Sequence, residues 1–124
     1  MIPGLNDHSL EQVLEASVKA GATAAGWTLL RLPLEIAGLF EEWLQAHAPD
    51  RAGRVMSLIR QTRGGKLYKS GFGERHRGEG PVAELIRTRF NHAVRRLGLD
   101  RKRWTLDITQ FSPPPRPGDQ MSLF

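Results

Sequence analysis

The chain of 124 residues contains no cysteine. Disulfides, thiolate zinc sites, a cysteine nucleophile and a thiolate-held iron–sulfur cluster are therefore excluded within these residues. No apolar run approaches the ~20 residues that span a bilayer, and Met1–Gly4 lacks the basic head and apolar stretch of a secretory signal. We therefore expect a cytoplasmic protein with no membrane partner. Hydrophobic residues at 40% and charged residues at 25% are typical of a globular chain.

Catalytic patterns are also absent. The four histidines form no HxxxH pair, so their spacing predicts no metal site, and no serine lies in a nucleophile elbow. We therefore predict neither metal ligands nor catalytic residues in this chain. The histidines are His8, His47, His76 and His92.

The net charge of +5 is unevenly divided along the chain. Residues 1–50 hold two basic residues and seven acids, whereas residues 51–103 hold fifteen Lys or Arg and four acids. A basic block beside an acidic one favours a surface that faces phosphate or another anion. A basic face that is merely solvated is the alternative.

Apolar residues at helical spacing predict four helices, and prolines and glycines delimit them. We expect them over about 9–20, from Pro33 to Pro49, from Asp50 to Gly64, and over about 82–97 before Gly98. The first two helices are predicted to bury Leu10, Val13, Leu14 and Val18, and Ile36, Leu39, Phe40, Trp43, Leu44 and His47. The last two are predicted to bury Ala52, Val55, Met56 and Ile59, and Val82, Leu85, Ile86, Phe90, Ala93, Val94 and Leu97.

Residues 24–32 are apolar nearly throughout and do not alternate with polar ones. This pattern predicts a strand covered on both faces, as in parallel sheets. The backbone N–H and C=O groups of such a strand must pair with neighbouring strands. The short stub Met1–Pro3 is the one other candidate for a strand, as the tail of one. The order of stub, helix, strand and helix is the end of a βαβα series. Either the chain is a truncated product, or a partner completes the sheet.

Several stretches, taken together and in order, resemble the C-terminal third of bacterial radical SAM proteins related to spore photoproduct lyase, often labelled DNA repair photolyases. The resemblance covers nearly all 124 positions. The stretches are MIPGLND (1–7), GWTLLRLP (26–33), LFEEWL (39–44), VMSLIRQTRGGK (55–66), GFGER (71–75) and RGEGP (77–81).

The resemblance implies an α/β fragment that is mainly helical, made of the last βαβα units of a partial (βα)6 barrel and a helical C-terminal extension. Residues 1–33 would end the barrel, 34–98 would form the extension, and 99–124 an extended tail. Family members bind a [4Fe–4S] cluster through three cysteines and use S-adenosylmethionine to generate a radical. This chain has none of those cysteines, so we expect it to bind neither cofactor alone and to be inactive unless an N-terminal radical SAM portion acts in trans.

The resemblance also implies the remains of a cofactor wall. Ile2, Gly4 and Asp7 match the family's Ile-x-Gly-x-x-acid pattern beside the adenosyl group, and Leu30 and Arg31 would lie where the last strand meets the adenine. From the residues alone, Gly4 is a turn glycine and Asp7 a helix cap.

Residues 64–81 form a glycine-rich basic loop in which Tyr68 and Phe72 are interleaved. Backbone amides and cations in such a loop can contact phosphate, and aromatic rings can stack on bases. The alternative is a solvated loop whose arginines pair with Glu35, Glu41, Glu42 and Glu84. The spacing matches neither a Walker motif nor a dinucleotide fingerprint. The candidate anion or nucleic-acid contacts are Arg60, Arg63, Lys66, Lys69, Arg75 and Arg77.

The tail ends in Gln120, Met121, Ser122, Leu123 and Phe124 after a proline-rich spacer. It resembles the Gln-Leu-(Ser/Asp)-Leu-Phe pentapeptide by which bacterial replication and repair proteins dock on the DNA sliding clamp. Apolar anchors behind a stiff spacer suit a short linear motif. A frayed end, or a strip that folds back on the domain, is the alternative. A nucleic-acid-associated adaptor that docks on the clamp is therefore our second functional hypothesis.

Overall fold

A computed structural model describes residues 1–71, 74–100 and 109–114 of the protein. A 3-10 turn at Asp7–Ser9 leads into α1 (Leu10–Lys19), and α2 (Ile36–His47) and α3 (Pro49–Gln61) follow. The short α4 (Glu74–Arg77) precedes the longest helix, α5 (Gly80–Leu97). The domain is thus mainly helical, as expected. No β-strand is present in these described ranges, so the predicted βαβα units are not seen there.

The four long helices begin and end close to the predicted positions because the local signals are strong. Pro49 opens α3 and Pro81 lies in the first turn of α5, where a missing N–H costs nothing. Gly98 ends α5 in the left-handed conformation at φ 69°. The loop predicted over 64–81 differs, because it contains α4 and the first residues of α5.

The first hydrophobic core lies between α1 and α5. Leu10 and Leu14 of α1 pack with one face of α5, and Leu29 of the extended segment joins them. Trp27 contacts this core, and its ring lies 6.1 Å from that of Phe90. The α5 residues buried here are Ala83, Ile86, Phe90, Ala93 and Val94.

The second hydrophobic core lies between α2 and α3. All four residues predicted for α3 are buried in it, and Leu44 of α2 and Leu32 complete it. The α3 residues are Ala52, Val55, Met56 and Ile59.

Residues 24–32 run between the two cores without forming an assigned strand. Trp27 and Leu29 face the first core, whereas Leu30 and Leu32 face the second. The prediction of burial on both faces is met only in part: Leu29 and Leu32 are buried in different cores, whereas Gly26 and Thr28 are exposed.

The predicted buried face of α2 is largely wrong. Leu44 is buried, but Leu39 is 59% exposed and Trp43 is 45% exposed. Ile36 and His47 are also exposed, and Phe40 is only partly buried. Helix α2 contacts α3 along one side of its apolar stripe, so the rest of the stripe faces solvent. Val13 of α1 and Leu85 of α5, each 60% exposed, are two further residues predicted to be buried that are not.

Candidate functional site

Met1 and the extended segment form one rung of a parallel ladder. The Met1 amino group donates to Thr28 O at 2.7 Å, and Leu30 N–H donates to Met1 O at 2.9 Å. In a parallel strand pair, a residue makes hydrogen bonds to the two residues that flank the residue directly opposite it. Met1 therefore lies opposite Leu29, and its side chain packs, like that of Leu29, on the first core. The stub was expected to be the tail of a second strand, but the described residues contain this one rung and no strand.

The ladder stops at Pro3 for a chemical reason. The next rung would require an N–H from residue 3 to reach Leu30 O, and proline has none. The guanidinium of Arg63 takes that place, since its Nη2 donates to Leu30 O at 3.1 Å. Arg63 is only 1% exposed. Burial lowers the pKa of Arg63, and the nearby positive charge of Arg31 lowers it further.

The ladder also stops on the other side of Met1. Within the described residues, neither Thr28 N–H nor Gly26 C=O has a hydrogen-bond partner. Beside these groups lies a trough with a volume of about 360 Å³. Its apolar walls come from α1, Trp27 and Phe90, and the lining residues are Met1, Asn6, Leu10, Val13, Leu14, Gly26, Trp27, Thr28 and Phe90. Sequence reasoning missed this trough.

The candidate cofactor residues of the amino terminus form a turn that satisfies its own polar groups. Ile2 N–H donates to Asn6 Oδ1 and Gly4 N–H donates to Asp7 Oδ1, each at 2.8 Å. Gly4 has φ 76°, and a Cβ there would lie 2.7 Å from Leu58 Cδ1. The turn and its packing on α3 therefore account for Gly4 and Asp7 without a ligand.

The structure brings Ile2 and Leu30 together, because both side chains pack on the second core. Arg31 follows Leu30 and is partly buried. Its enclosed Nε has no hydrogen-bond partner in the part of the chain that the structure describes. Of the five candidate cofactor positions, Ile2 and Leu30 thus pack on one core, and Gly4 packs on α3 of that core.

The residues of the basic loop do not form one surface. Arg60, Lys66 and Arg77 are exposed, whereas Arg63 is buried beneath the extended segment. Lys69 pairs with Glu79 at 2.6 Å. The side chains of Phe72 and Arg75 lie outside the described residues. Of the acids proposed as alternative partners, Glu84 pairs with Arg87 of its own helix instead.

Part of the charge partition is neutralised between helices. Arg89 of α5 makes two hydrogen bonds to Glu11 of α1, at 2.9 and 2.6 Å, and Arg96 bonds Glu15 at 2.6 Å. The bond from Arg89 lowers the pKa of Glu11, and the bond to Glu11 raises the pKa of Arg89. The acidic first half and the basic second half therefore attract each other within one molecule.

The donor set for the implied cluster does not fit this chain. It has no cysteine, and no group of three His, Asp or Glu residues that could hold a metal ion occurs among the described residues. The clamp-like residues Gln120–Phe124 lie outside the described residues. No described helix is long and apolar enough to cross a membrane. Comparisons with models of protein families, with curated proteins and with solved structures find no match for this chain.

Proposed function

We propose that this chain is the C-terminal part of a radical SAM protein of the photolyase-like group, in which residues 24–32 are the last strand of an incomplete (βα)6 barrel. Residues 1–33 would then belong to the barrel, and the helices from 34 to 98 would pack on it as an extension. The sequence stretches that resemble that group are the basis of the proposal.

One observation supports it best: the extended segment lies between two cores and makes one parallel rung with Met1, while Leu29 N–H donates to His76 O on its other side at 2.8 Å. A segment whose side chains enter two cores and whose backbone is paired in parallel is typical of a strand in an α/β barrel. The unpaired Thr28 and Gly26 groups are then the positions at which the preceding strand would continue.

On this proposal the chain does no radical chemistry alone. A [4Fe–4S] cluster would supply the electron that cleaves S-adenosylmethionine, but the cysteines that would hold it are absent from these residues. The residues present would contribute a wall, in which Ile2 and Leu30 pack on the second core and Arg31 follows Leu30.

The test is reconstitution with a complementary radical SAM portion that contains the Cys-x3-Cys-x2-Cys motif. In the presence of a reductant and S-adenosylmethionine, the chain alone should release no 5′-deoxyadenosine. The chain mixed with the complementary portion should release 5′-deoxyadenosine in proportion to the amount of chain added. Release by the chain alone, or no association with that portion, contradicts the proposal. The DNA preceding the Met1 codon offers a second check, since a frame that encodes the motif is expected there.

A second candidate is an adaptor that binds nucleic acid and docks on the DNA sliding clamp through residues 120–124. It is favoured by exposed cations on α3, because Arg51, Arg54 and Arg60 have no ion pair within the described ranges. Such cations can follow a phosphate backbone.

The adaptor is tested with a peptide of residues 116–124 against a bacterial sliding clamp. We expect micromolar binding that is lost in a control peptide with Leu123→Ala and Phe124→Ala. Equal signals from both peptides, whether present or absent, remove clamp docking from this proposal. The full chain should also bind DNA less tightly as salt rises.

A further inference from the structure

We propose that α2 pairs with α2 of a second copy of this chain, in a parallel dimer with a twofold axis, through the face formed by Ile36, Leu39 and Trp43. This inference goes beyond the proposed function, because it concerns the side of α2 that α3 leaves exposed. The pairing needs neither a barrel nor a nucleic acid. It is measured on the chain alone, so its failure is distinguishable from a failure of the reconstitution with a radical SAM portion.

The exposed side of α2 is a second apolar face of the helix. Successive residues lie about 100° apart around a helix axis, so Ile36, Leu39 and Trp43 share one side, roughly a quarter turn from Leu44. Leu44 packs on α3, whereas the other three side chains are 41%, 59% and 45% exposed. A helix in a four-helix bundle contacts two neighbours in this way. Here α3 is the first neighbour, and a second copy supplies the other.

The spacing of the exposed face is that of a coiled-coil seam. Ile36, Leu39, Trp43 and Ala46 follow at steps of three, four and three residues, which are the core positions of two heptads. So short a seam buries a small area, and we expect a weak dimer with a Kd on the order of 10 μM. Well below that concentration the chain is a monomer in which Leu39 is exposed.

The two flanks of this face differ in charge. Glu35 and Glu42 lie on the flank away from α3, and α2 contains no Lys or Arg. Neither carboxylate forms an ion pair with a described residue. The flank beside α3 carries His47, and the exposed Arg51 lies with Trp43 and His47 around a cleft there.

This difference favours the parallel arrangement. When two parallel helices are related by a twofold axis along them, each flank of one faces the opposite flank of the other. Glu42 then lies beside His47 of the second copy and close to its Arg51. Asp50 lines the same cleft, but it lies in the first turn of α3, whose positive dipole end offsets its charge. An antiparallel pair would place Glu35 and Glu42 beside the same acids of the second copy, and like charges would repel.

The experiment measures sedimentation of the full chain from about 1 to 200 μM, which brackets the expected Kd. We expect a transition from monomer to dimer. Leu39→Glu places a charge in the seam and should weaken the dimer at least ~10-fold. Leu85→Glu is the matched control, because Leu85 is 60% exposed on α5, and it should leave the dimer unchanged. A chain that stays monomeric throughout, or a dimer that Leu39→Glu does not weaken, overturns the proposal.

Two further sets of variants test the orientation. Glu42→Lys should weaken the dimer at least ~3-fold, whereas Glu41→Lys, an exposed position on the side of α2 away from the seam, should not. Because the chain has no cysteine, Ala46→Cys can be oxidised selectively. It should form a disulfide-linked dimer, since a parallel pair brings this position next to its own copy across the axis. Cross-linking that occurs only when Ile36→Cys and Ala46→Cys chains are mixed would show an antiparallel pair and contradict the proposal.

Discussion

Helices α1 and α2 both carry an apolar stripe, but the structure covers them differently. Helix α1 packs on α5, where Leu10 and Leu14 are buried and two ion pairs join the helices. Helix α2 packs on α3 through Leu44, and it leaves Ile36, Leu39 and Trp43 exposed. The difference shows that a stripe of helical period indicates which side chains can be buried, while the position of the partner helix decides which are.

The exposed side of α2 has an ordered arrangement of rings. Phe40 and Trp43 are stacked with centroids 6.0 Å apart, and Trp43 stacks on His47 at 5.0 Å. The His47 ring also lies within hydrogen-bonding distance of Trp43 O through Nδ1, at 2.9 Å. These contacts follow the helix surface at spacings of three and four residues, and they cover part of the apolar area that α3 leaves exposed.

The largest expected effect is the difference in stability between substitutions on the buried side and on the exposed side of α2. Leu44→Ala should lower the free energy of unfolding by about 2–5 kcal/mol, because Leu44 is fully buried and the truncation leaves a cavity. Leu39→Ala, on the exposed side of the same helix, should cost less than about 0.5 kcal/mol. Urea unfolding of both variants measures the contrast. Similar losses would mean that another surface covers Leu39 in solution, and a dependence on protein concentration would then identify self-association.

An intermediate effect is expected where the loop before α5 meets the extended segment. Gly78 has φ 69°, and a Cβ there would lie 2.6 Å from Leu29 Cδ1 and 2.9 Å from Thr62 O. Gly78→Ala should therefore lower the free energy of unfolding by about 1–3 kcal/mol.

Gly53 of α3 is the matched control for that substitution, because no atom lies within 4 Å of the position of its added Cβ. Gly53→Ala should raise stability by about 0.5–1 kcal/mol through a lower backbone entropy of the unfolded chain. Thermal unfolding of both variants distinguishes the two sites. Equal effects would mean that α3 and the loop are constrained alike.

The smallest effect concerns the ion pairs. Glu11→Gln removes the paired bonds between α1 and α5 and should cost about 0.5–1 kcal/mol at pH 7. Glu84→Gln removes a pair within α5 and should cost about 0.3 kcal/mol. Denaturant titrations at matched salt measure both, and 1 M salt should reduce the two losses.

The ion pair between Glu11 and Arg89 predicts that the free energy of unfolding depends on pH with a definite sign. Because the pKa of Glu11 is lower in the folded protein than the ordinary value of 4.5, its contribution is complete above pH 4.5. It is lost as the pH falls through the lower folded pKa. The difference between the parent chain and Glu11→Gln should therefore shrink on acidification. A constant difference down to pH 2 would show that Glu11 stabilises by packing instead.

The helices could be predicted because their signals are local. Gly98 and the periodic apolar residues of α3 act within a few residues of themselves, and the structure places them as expected. Pro49 also lies between the two helices, but it is the first residue of α3, one position before the expected start. Which side chains the helices bury depends on long-range packing. For this reason the predicted burial of Leu85 and Val13 is wrong, and both side chains are exposed to solvent. The role of Arg63 was also missed, since its charge suggested an anion contact and its partner Leu30 is 33 residues away.

The sequence by itself determined the approximate positions of the four long helices, the division of charge and the lack of thiol chemistry. Only the tertiary structure decided that Met1 pairs opposite Leu29, that Arg63 replaces the N–H that Pro3 lacks, and that one side of α2 remains bare. The reason is physical: capping, helix periodicity and composition operate over a few neighbouring residues. Hydrogen-bond pairing and burial depend on which distant groups meet, and no local pattern specifies that meeting.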